Sequence, residues 1–238
     1  MKALRIPAVV ILLSIFYIAA ASAETRSIFL REDFNNLENW RPLLFPRIKQ
    51  HSTYSIEEDG SDHVLKAASN ASASGIIYKK EFNVYDYPKV RWRWKISNVY
   101  AKGDELSKSG DDYPLRIYII FRFDPDTASL GRKIKYGLAR KIYGEYPPHS
   151  SLNYIWANKR HAERIITNAY ADDAKMVLLE TGPEKAGRWV DEEIDILDDY
   201  QKAFGTKPPA VAGIAIMNDS DNTGERSESF VDYIEVFR

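Results

Sequence analysis

Residues 89–99 read KVRWRWKISNV, an alternation of apolar with basic or polar side chains. One face of this stretch would carry Val90, Trp92, Trp94 and Ile96, and the other face Arg91, Arg93 and Lys95. A period of two residues is that of a β-strand with one buried face, and it does not fit a helix. The chain is therefore expected to build a sheet whose inner face is rich in aromatic side chains.

Further stretches have strand character. Residues 115–123 repeat the alternation, with Leu115, Ile117, Ile119, Phe121 and Phe123 on one face. The complete set of predicted strands is 28–34, 52–56, 64–68, 76–82, 89–99, 115–123, 152–157, 175–181, 187–197, 211–217 and 229–237. Strands of this number and spacing predict an all-β fold, an antiparallel β-sandwich or jelly roll.

Two helices are expected to interrupt the strands. Residues 129–143 place Leu130, Ile134, Leu138 and Ile142 at a helical spacing, and residues 198–204 form a shorter helix before Gly205. The longer, inserted helix is expected to pack on the sandwich by this Leu/Ile stripe, with its lysines in water. Contact with anionic lipid, or a role as a lid over a pocket, are the alternatives.

The start of the chain is typical of a secretory signal peptide. Lys2 and Arg5 precede an apolar run at residues 6–20, and Ala21, Ser22 and Ala23 form a small-x-small cleavage motif. Cleavage after Ala23 would leave one domain, residues 24–238, in the periplasm or secreted, without a transmembrane anchor. The absence of cysteine excludes thiol chemistry, and a formal net charge of −1 gives no case for nucleic acid as a partner.

Four motifs carry a family resemblance. They are LNYIWAN at 152–158, ITNAY at 166–170, GRWVDEEIDILDDYQKAFGTKPP at 187–209 and GIAIMNDSDNTGE at 213–225. In this order and spacing the chain resembles the exported bacterial family called domain of unknown function 3047 (DUF3047). The resemblance implies one secreted β-sandwich domain and no particular reaction.

The two ends carry a second resemblance. LREDFNNLENW at 30–40 and SFVDYIEVF at 229–237 resemble the first and last strands of galactose-binding-like jelly rolls, which include many carbohydrate-binding modules. The resemblance implies that these strands pair. It also implies a structural calcium between the ends, for which Glu32, Asp33 and Asp232 would be the ligands.

The acidic stretch NDSDNTGE, residues 218–225, follows a predicted strand directly. Asp219 and Asp221 match the start of a calcium loop, but Phe230 stands where an EF-hand needs its last glutamate, so an Asx-rich turn is the stronger interpretation. A turn that leaves a strand lies at a sheet rim, where ligand loops are common. Asn218, Asp219, Asp221 and Asn222 are therefore candidates for binding sugar hydroxyls.

Basic side chains lie on the polar faces of two predicted strands. If these strands were neighbours, Arg91, Arg93, Arg116 and Arg122 would form one basic platform, with Tyr118 stacking on a ring and Trp156 and Asn158 extending it. Such a platform suits an anionic glycan or another carboxylate ligand. The alternative is that these cations pair across strands with acids such as Glu180 and Glu193.

No recognised catalytic motif is present, so no catalytic residue is assigned. Glu180, Glu193 and Asp219 are the carboxylates that could serve a glycosidase, and Glu180 joins the ligand-binding candidates. The leading hypothesis is a non-catalytic binding protein for a carbohydrate or an anionic polyhydroxy ligand. The alternatives are a carbohydrate-active hydrolase or lyase and an envelope accessory protein that binds another protein.

Overall fold

The computed structural model describes residues 26–143 and 146–238. The predicted signal peptide, residues 1–23, lies outside the described residues. In chain order the strands are β1 (Ile28–Glu32), β2 (Trp40–Leu43), β3 (Thr53–Asp59), β4 (Asp62–Asn70), β5 (Ala73–Tyr78), β6 (Phe82–Asn83), β7 (Lys89–Ile96), β8 (Arg116–Phe121), β9 (Ser150–Ala157), β10 (Ile165–Thr167), β11 (Ala174–Thr181), β12 (Val190–Asp195), β13 (Val211–Asp219) and β14 (Arg226–Phe237). The helices are α1 (Leu130–Tyr143) and α2 (Ile196–Phe204).

The strands form two sheets. The smaller sheet has the order β12-β7-β14-β4-β3, with β1 also paired to β14. The larger sheet has the order β10-β11-β9-β8-β13-β5-β2, with β6 also paired to β13. The described pairs are antiparallel except β9 with β11, which is parallel. The predicted fold class, an all-β sandwich with one inserted and one short helix, is confirmed.

Aromatic side chains fill the space between the sheets. Trp92 and Trp94 of β7 are fully buried and meet Tyr154 and Trp156 of β9, with ring centroids 5.6 Å apart for Trp92 and Tyr154 and 5.8 Å for Trp94 and Trp156. Each buried aromatic removes a large apolar area from water, so this seam dominates the packing energy of the sandwich. The alternation of residues 89–99 predicted this inner face correctly.

The first and last strands pair as the second resemblance implies, since Glu32 of β1 lies opposite Ile234 of β14. Three strands were not predicted as separate strands: β2, β10 and β6, and of β6 only Phe82 lay in the predicted strand 76–82. Strand β2 is a four-residue edge strand that contains Pro42, and β10 has only three residues. Short edge strands carry too little alternation to be recognised, and proline is tolerated at a sheet edge because one side of the strand has no partner.

Helix α2 begins at Ile196, two residues before the predicted start at 198, and ends at Phe204 as predicted. The Asp195 side chain accepts hydrogen bonds from the amides of Leu197 and Asp198, and Gly205 ends the helix in a left-handed conformation. The predicted packing of α1 is wrong for the first two residues of its stripe, and the side chains of Leu138 and Ile142 lie outside the described part of the chain. Leu130 and Ile134 are 74% and 66% exposed, whereas the helix contacts the sandwich through Tyr136, which is 6% exposed.

The basic platform is also corrected. Strand β7 belongs to the smaller sheet and β8 to the larger one, so their polar faces point to opposite sides of the sandwich. Arg91 pairs with Glu235 at 2.8 Å and Arg93 with Asp232 at 3.3 Å on the smaller sheet. Pairing with acids across strands, the alternative that the sequence offered, therefore describes these two arginines, but the partners are not Glu180 or Glu193.

Candidate functional site

A cleft of about 700 Å³ lies on the outer face of the larger sheet. Its floor is formed by β8, β9 and β13, and its walls by the segments that follow β2, β10 and β13. The cleft is lined by Phe45, Pro46, Arg47, Ile48, Ala73, Asp111, Arg116, Tyr118, Ser151, Asn153, Asn168, Tyr170, Ala174, Met217, Asp219, Asp221 and Asn222. This volume is within the usual range of small-ligand sites.

Arg116 occupies the centre of the floor. Its main chain lies opposite Met217 in the sheet register, and its guanidinium forms an ion pair with the carboxylate of Asp219, two residues further along β13. The guanidinium carbon also lies 4.6 Å from the ring centroid of Tyr113 and 5.6 Å from that of Tyr118. Packing against two aromatic rings holds the planar guanidinium in one orientation.

Acidic groups outnumber basic groups around Arg116. Burial raises the pKa of Asp219 well above its usual value, and the neighbouring Asp112 and Asp111 add to this effect while Arg116 opposes it. Burial also raises the pKa of the partly buried Asp221, with a further contribution from Asp112. The guanidinium of Arg116 pairs with Asp219 and also lies 4.0 Å from an oxygen of Asp111, so its positive charge is shared between two carboxylates.

A hydrogen-bonded wall connects three loops beside the cleft. The Asn168 amide donates to both carboxylate oxygens of Asp111, each at 3.0 Å. The Asn222 amide donates to the Tyr170 hydroxyl at 2.8 Å and to the carbonyl of Lys108 at 2.8 Å. These bonds fix the polar groups before any ligand arrives, and preorganisation of this kind reduces the entropy cost of binding.

The acidic loop is a docked turn. The carboxylate of Asp112 accepts hydrogen bonds from the amides of Asn222 at 3.3 Å and Thr223 at 2.6 Å. Gly224 has φ of 70°, a conformation that favours glycine, as the interpretation of 218–225 as an Asx-rich turn requires. Asp112, Asp219 and Asp221 each offer one carboxylate oxygen, and these three oxygens lie within 4.8 Å of one another. Among the described residues, this group has the donor types and the spacing of a metal site.

The five predicted calcium ligands separate into two sets. Asp219 and Asp221 belong to the cluster with Asp112, so calcium at this position stays a prediction. The implied site between the ends also stays a prediction, although Glu32, Asp33 and Asp232 are not in the group of described residues with metal-site spacing and each is bonded to another donor. Glu32 accepts from the amide of Phe34 and the indole of Trp40, Asp33 pairs with Arg31, and Asp232 pairs with Arg93.

Two buried polar atoms in the cleft have no hydrogen-bond partner among the described residues. They are Oδ1 of Asn153 and Nε of Arg116, on side chains whose residues are 3% and 5% exposed. The other end of the Asn153 amide lies 3.2 Å from the sulfur of Met176, so one amide atom is unpartnered in either orientation of the group. Buried polar groups are nearly always hydrogen-bonded, and each exception calls for an explanation.

The cleft contains five of the predicted ligand-binding residues: Arg116, Tyr118, Asp219, Asp221 and Asn222. Two others face the interior instead. Trp156 is fully buried in the core, where its indole donates to the carbonyl of Gly182. Asn218 is fully buried, donates to the carbonyl of Ala67 and accepts from the hydroxyl of Ser227. Their alternation with outward-facing neighbours places both on the inner face of the larger sheet.

The remaining predicted residues lie elsewhere. Arg91 and Arg93 are on the smaller sheet, and Arg122 pairs with Glu81 at 2.8 Å beyond the end of β8. Glu180 pairs with Lys185 at 2.5 Å. Asn158 is a structural residue, since its side chain accepts from the amide of Tyr100 and donates to the carbonyl of Asp112.

Sequence reasoning missed Asp111, Asn153, Asn168 and Tyr170. A signal was available for Asn153, a single amide inside the apolar stretch LNYIWA, and for Asn168 and Tyr170, which are part of the ITNAY motif. For Asp111 there was none, because residues 104–112 read only as a polar loop.

A second hollow, about 850 Å³, is lined by the ends of β4 and β14 and neighbouring loops. Its buried hydroxyls already have partners: Ser69 and Ser227 each lie within hydrogen-bond distance of the Tyr100 hydroxyl, and Ser72 accepts from the amide of Asn70. The cleft at Arg116 is therefore the better candidate site.

These features define a β-sandwich protein with a polar cleft on the outer face of one sheet. The chain belongs to the family described as Protein of unknown function (DUF3047), whose model matches residues 38–235. No curated protein matches the sequence. Among the described residues, no helix combines the length and the apolar character that a membrane span requires.

Solved structures with a similar architecture include sugar-binding proteins. A family 11 carbohydrate-binding module from Clostridium thermocellum, in complex with a β-1,3-1,4-mixed-linked tetrasaccharide, is 12% identical, with a TM-score of 0.42 over 86% of this chain and 92% of the module. A Caldicellulosiruptor saccharolyticus module, CBM27-1, in complex with mannohexaose is 12% identical, with a TM-score of 0.39 over 87% and 95%. The Lotus tetragonolobus seed lectin is 9% identical, with a TM-score of 0.40 over 88% and 96%. These scores are too low to transfer a function.

Proposed function

We propose that this protein is a non-catalytic binding protein for an uncharged, hydroxyl-rich carbohydrate, which is held in the cleft at Arg116. The observation that carries the proposal is the buried amide of Asn153, which lines a cleft of ligand size and has one atom without a hydrogen-bond partner among the described residues. Leaving a buried polar atom unsatisfied costs about 1–3 kcal/mol. A sugar hydroxyl, which can both donate and accept, would remove that cost when it binds.

The rest of the lining suits a sugar. Asp111 and Asp221 offer acceptor oxygens, and Arg47 offers donors at the rim. Phe45 and the 56% exposed Tyr170 supply aromatic surface for the C–H face of a sugar ring. An apolar and aromatic lining with a few fixed polar groups is the usual composition of small-ligand sites.

Charge favours an uncharged ligand over an anionic one. Asp111, Asp219 and Asp221 line the cleft, and Arg116 is already paired with Asp219. A ligand carboxylate at the floor would have to compete with Asp219 for the guanidinium while it approached the other acids. The basic platform that suggested an anionic ligand depended on Arg91 and Arg93, which lie on the other sheet.

The carboxylates support binding better than hydrolysis. Glycosidases need two carboxyl groups that flank the scissile bond, about 5–10 Å apart and free to exchange protons or attack. Asp112 accepts from two backbone amides, and Asp219 accepts from the amide of Tyr113 as well as pairing with Arg116. These bonds give both side chains the role of fixing the loop. Export remains the expectation from residues 1–23, and we propose that binding takes place outside the cytoplasm.

A thermal-shift screen against neutral, acidic and amino oligosaccharides tests the proposal. A ligand at a hundred times its Kd stabilises the folded state by about 2.7 kcal/mol. For a chain of this length that corresponds to a rise in Tm of about 5–10 °C. We expect a neutral oligosaccharide to produce this rise, and Asn153→Leu to abolish it.

Arg122→Gln is the control, since Arg122 is an exposed cation just beyond the end of β8 and outside the cleft. It should leave the shift unchanged. The proposal is wrong if no neutral glycan raises Tm, or if Asn153→Leu responds as strongly as the unaltered protein. Chromatography of each active glycan after incubation separates binding from hydrolysis, since a shorter product would make the protein an enzyme.

A further inference from the structure

Helix α1 lies in the connection between β8 and β9 and contacts the sandwich along one side. The Tyr136 ring centroid is 4.4 Å from that of Phe123, and the Arg132 guanidinium donates to Nε2 of His149 at 2.8 Å. Tyr136 is almost fully buried by this contact. The helix is therefore attached through the side that carries Tyr136.

Large apolar side chains of α1 are left in solvent. Leu130 and Ile134 are 74% and 66% exposed and lie one helical turn apart, so they share a face. The sequence continues the same four-residue spacing with Leu138 and Ile142. An apolar stripe of this kind on a surface helix normally faces a core or a partner.

The charge of α1 identifies the kind of partner. Its 14 residues, LGRKIKYGLARKIY, include five lysines and arginines and no acidic residue, although the whole chain has a formal net charge of −1. Pairing with a second copy of the chain would bring five positive charges against five. An anionic lipid surface matches both properties, because it attracts the cations and accepts apolar side chains at the boundary between headgroups and acyl chains.

We propose that α1 docks this protein on the surface of an anionic lipid bilayer. Leu130 and Ile134 insert at the headgroup boundary, and the exposed Lys133 beside them lies among the lipid phosphates. The helix rests in the plane of the surface and does not cross it, in agreement with its length and charge. The inference goes beyond carbohydrate binding and does not depend on the cleft.

Co-sedimentation with vesicles tests the inference. The full chain is mixed with vesicles of phosphatidylcholine and phosphatidylglycerol in equal parts, and with vesicles of phosphatidylcholine alone. We expect binding to the anionic vesicles only, weakening as salt is added because the charges are screened. Leu130→Ser/Ile134→Ser should lose binding. Lys133→Gln should weaken it about fivefold, the effect expected for one charge removed near the surface.

Matched variants exclude a general effect of composition. Leu44→Ser/Leu106→Ser removes two leucines that are 53% and 65% exposed on other parts of the surface, and Lys80→Gln/Lys207→Gln removes two exposed lysines. Both should bind as the unaltered protein does. Thermal melting checks that every variant is folded, which the exposure of the altered side chains favours. Asn153→Leu should bind vesicles normally, so failure of the cleft proposal and failure of this one are distinguishable.

Several results would overturn the inference: no sedimentation with anionic vesicles, equal sedimentation with phosphatidylcholine alone, or undiminished binding by Leu130→Ser/Ile134→Ser. A dimer in sedimentation velocity that the same double substitution converts to a monomer would also overturn it, because the face would then be covered by a second copy.

Discussion

The side chain of Arg116 on β8 reaches past its register partner Met217 and forms a buried ion pair with Asp219 on β13. Arg116 is 5% exposed and Asp219 is 2% exposed, so both charges are removed from water. The pair forms the floor of the cleft and joins the middle of the larger sheet to the acidic loop. Because both charges are desolvated, removing either Arg116 or Asp219 is expected to destabilise the folded protein strongly.

Asp219→Asn should destabilise the protein by about 3–5 kcal/mol in urea unfolding, because it leaves the buried charge of Arg116 with only the more distant Asp111, at 4.0 Å, as a counter-charge. Arg116→Met should cost a similar amount for the converse reason. The double variant Arg116→Met/Asp219→Leu should be more stable than either single variant, since it removes both charges together. Additive losses in the double variant would show that the two residues do not act as a pair.

Asn153→Leu should make the protein more stable by about 1–2 kcal/mol and abolish ligand binding. The substitution removes a buried atom that has no protein partner and adds apolar surface to the floor of the cleft. Asn158→Leu is the comparison, because the Asn158 amide bonds both the amide of Tyr100 and the carbonyl of Asp112. Asn158→Leu should lower the free energy of unfolding by at least as much as Asn153→Leu raises it. Urea unfolding with a binding assay measures both effects, and a destabilised Asn153→Leu would contradict the assignment.

Glu192 predicts a dependence of stability on pH. Burial, with a smaller contribution from the charge of Glu180, raises its pKa from an ordinary value of 4.5 to about 7. Between these values the folded protein holds a proton that the unfolded chain releases. The stability that this bound proton contributes is therefore lost as pH rises from about 4.5 to about 7. Over this range the free energy of unfolding falls by at most about 1.4 kcal/mol per pH unit.

Glu192→Gln should consequently gain stability relative to the unaltered protein across that window, by up to about 3 kcal/mol, and show little difference below it. Denaturant unfolding at a series of pH values measures the effect. Glu193→Gln, on the exposed side of the same strand and with a side chain 45% exposed, is the matched control. The same pH-dependent gain in Glu193→Gln would locate the effect outside Glu192.

Trp156→Ala should cost about 3–5 kcal/mol, because the indole is fully buried between the sheets against Trp94. Arg122→Ala should change stability by less than about 1 kcal/mol, since its ion pair with Glu81 is exposed. If Trp156→Ala lowered the free energy of unfolding in urea only slightly, Trp156 would lie at the surface, as the sequence suggested.

Particular residues show which features of the structure could be predicted from the sequence. The alternation in 89–99 and 115–123 correctly predicted the buried faces of β7 and β8. A strand with one buried face has apolar side chains at every second position, which the sequence shows directly. Asn153 was missed for the opposite reason. Both faces of β9 are covered, by the core on one side and by a smaller cluster with Ile155 and Ala157 on the other, so LNYIWA has no alternation.

By itself, the sequence determined eleven of the fourteen strands, the two helices, the inner face of β7 and β8 and the turn at 218–225. These depend on side chains that are near one another in the chain, where spacing and polarity are sufficient. Only the tertiary structure decided that β7 and β8 belong to different sheets, which separates Arg91 and Arg93 from Arg116. Only the tertiary structure brought Arg116 to Asp219 across 103 positions, and Asp111, Asn153 and Asn168 to the same cleft. Strand pairing and sheet packing bring together residues that are distant in sequence. Local sequence patterns do not indicate which strands will be neighbours.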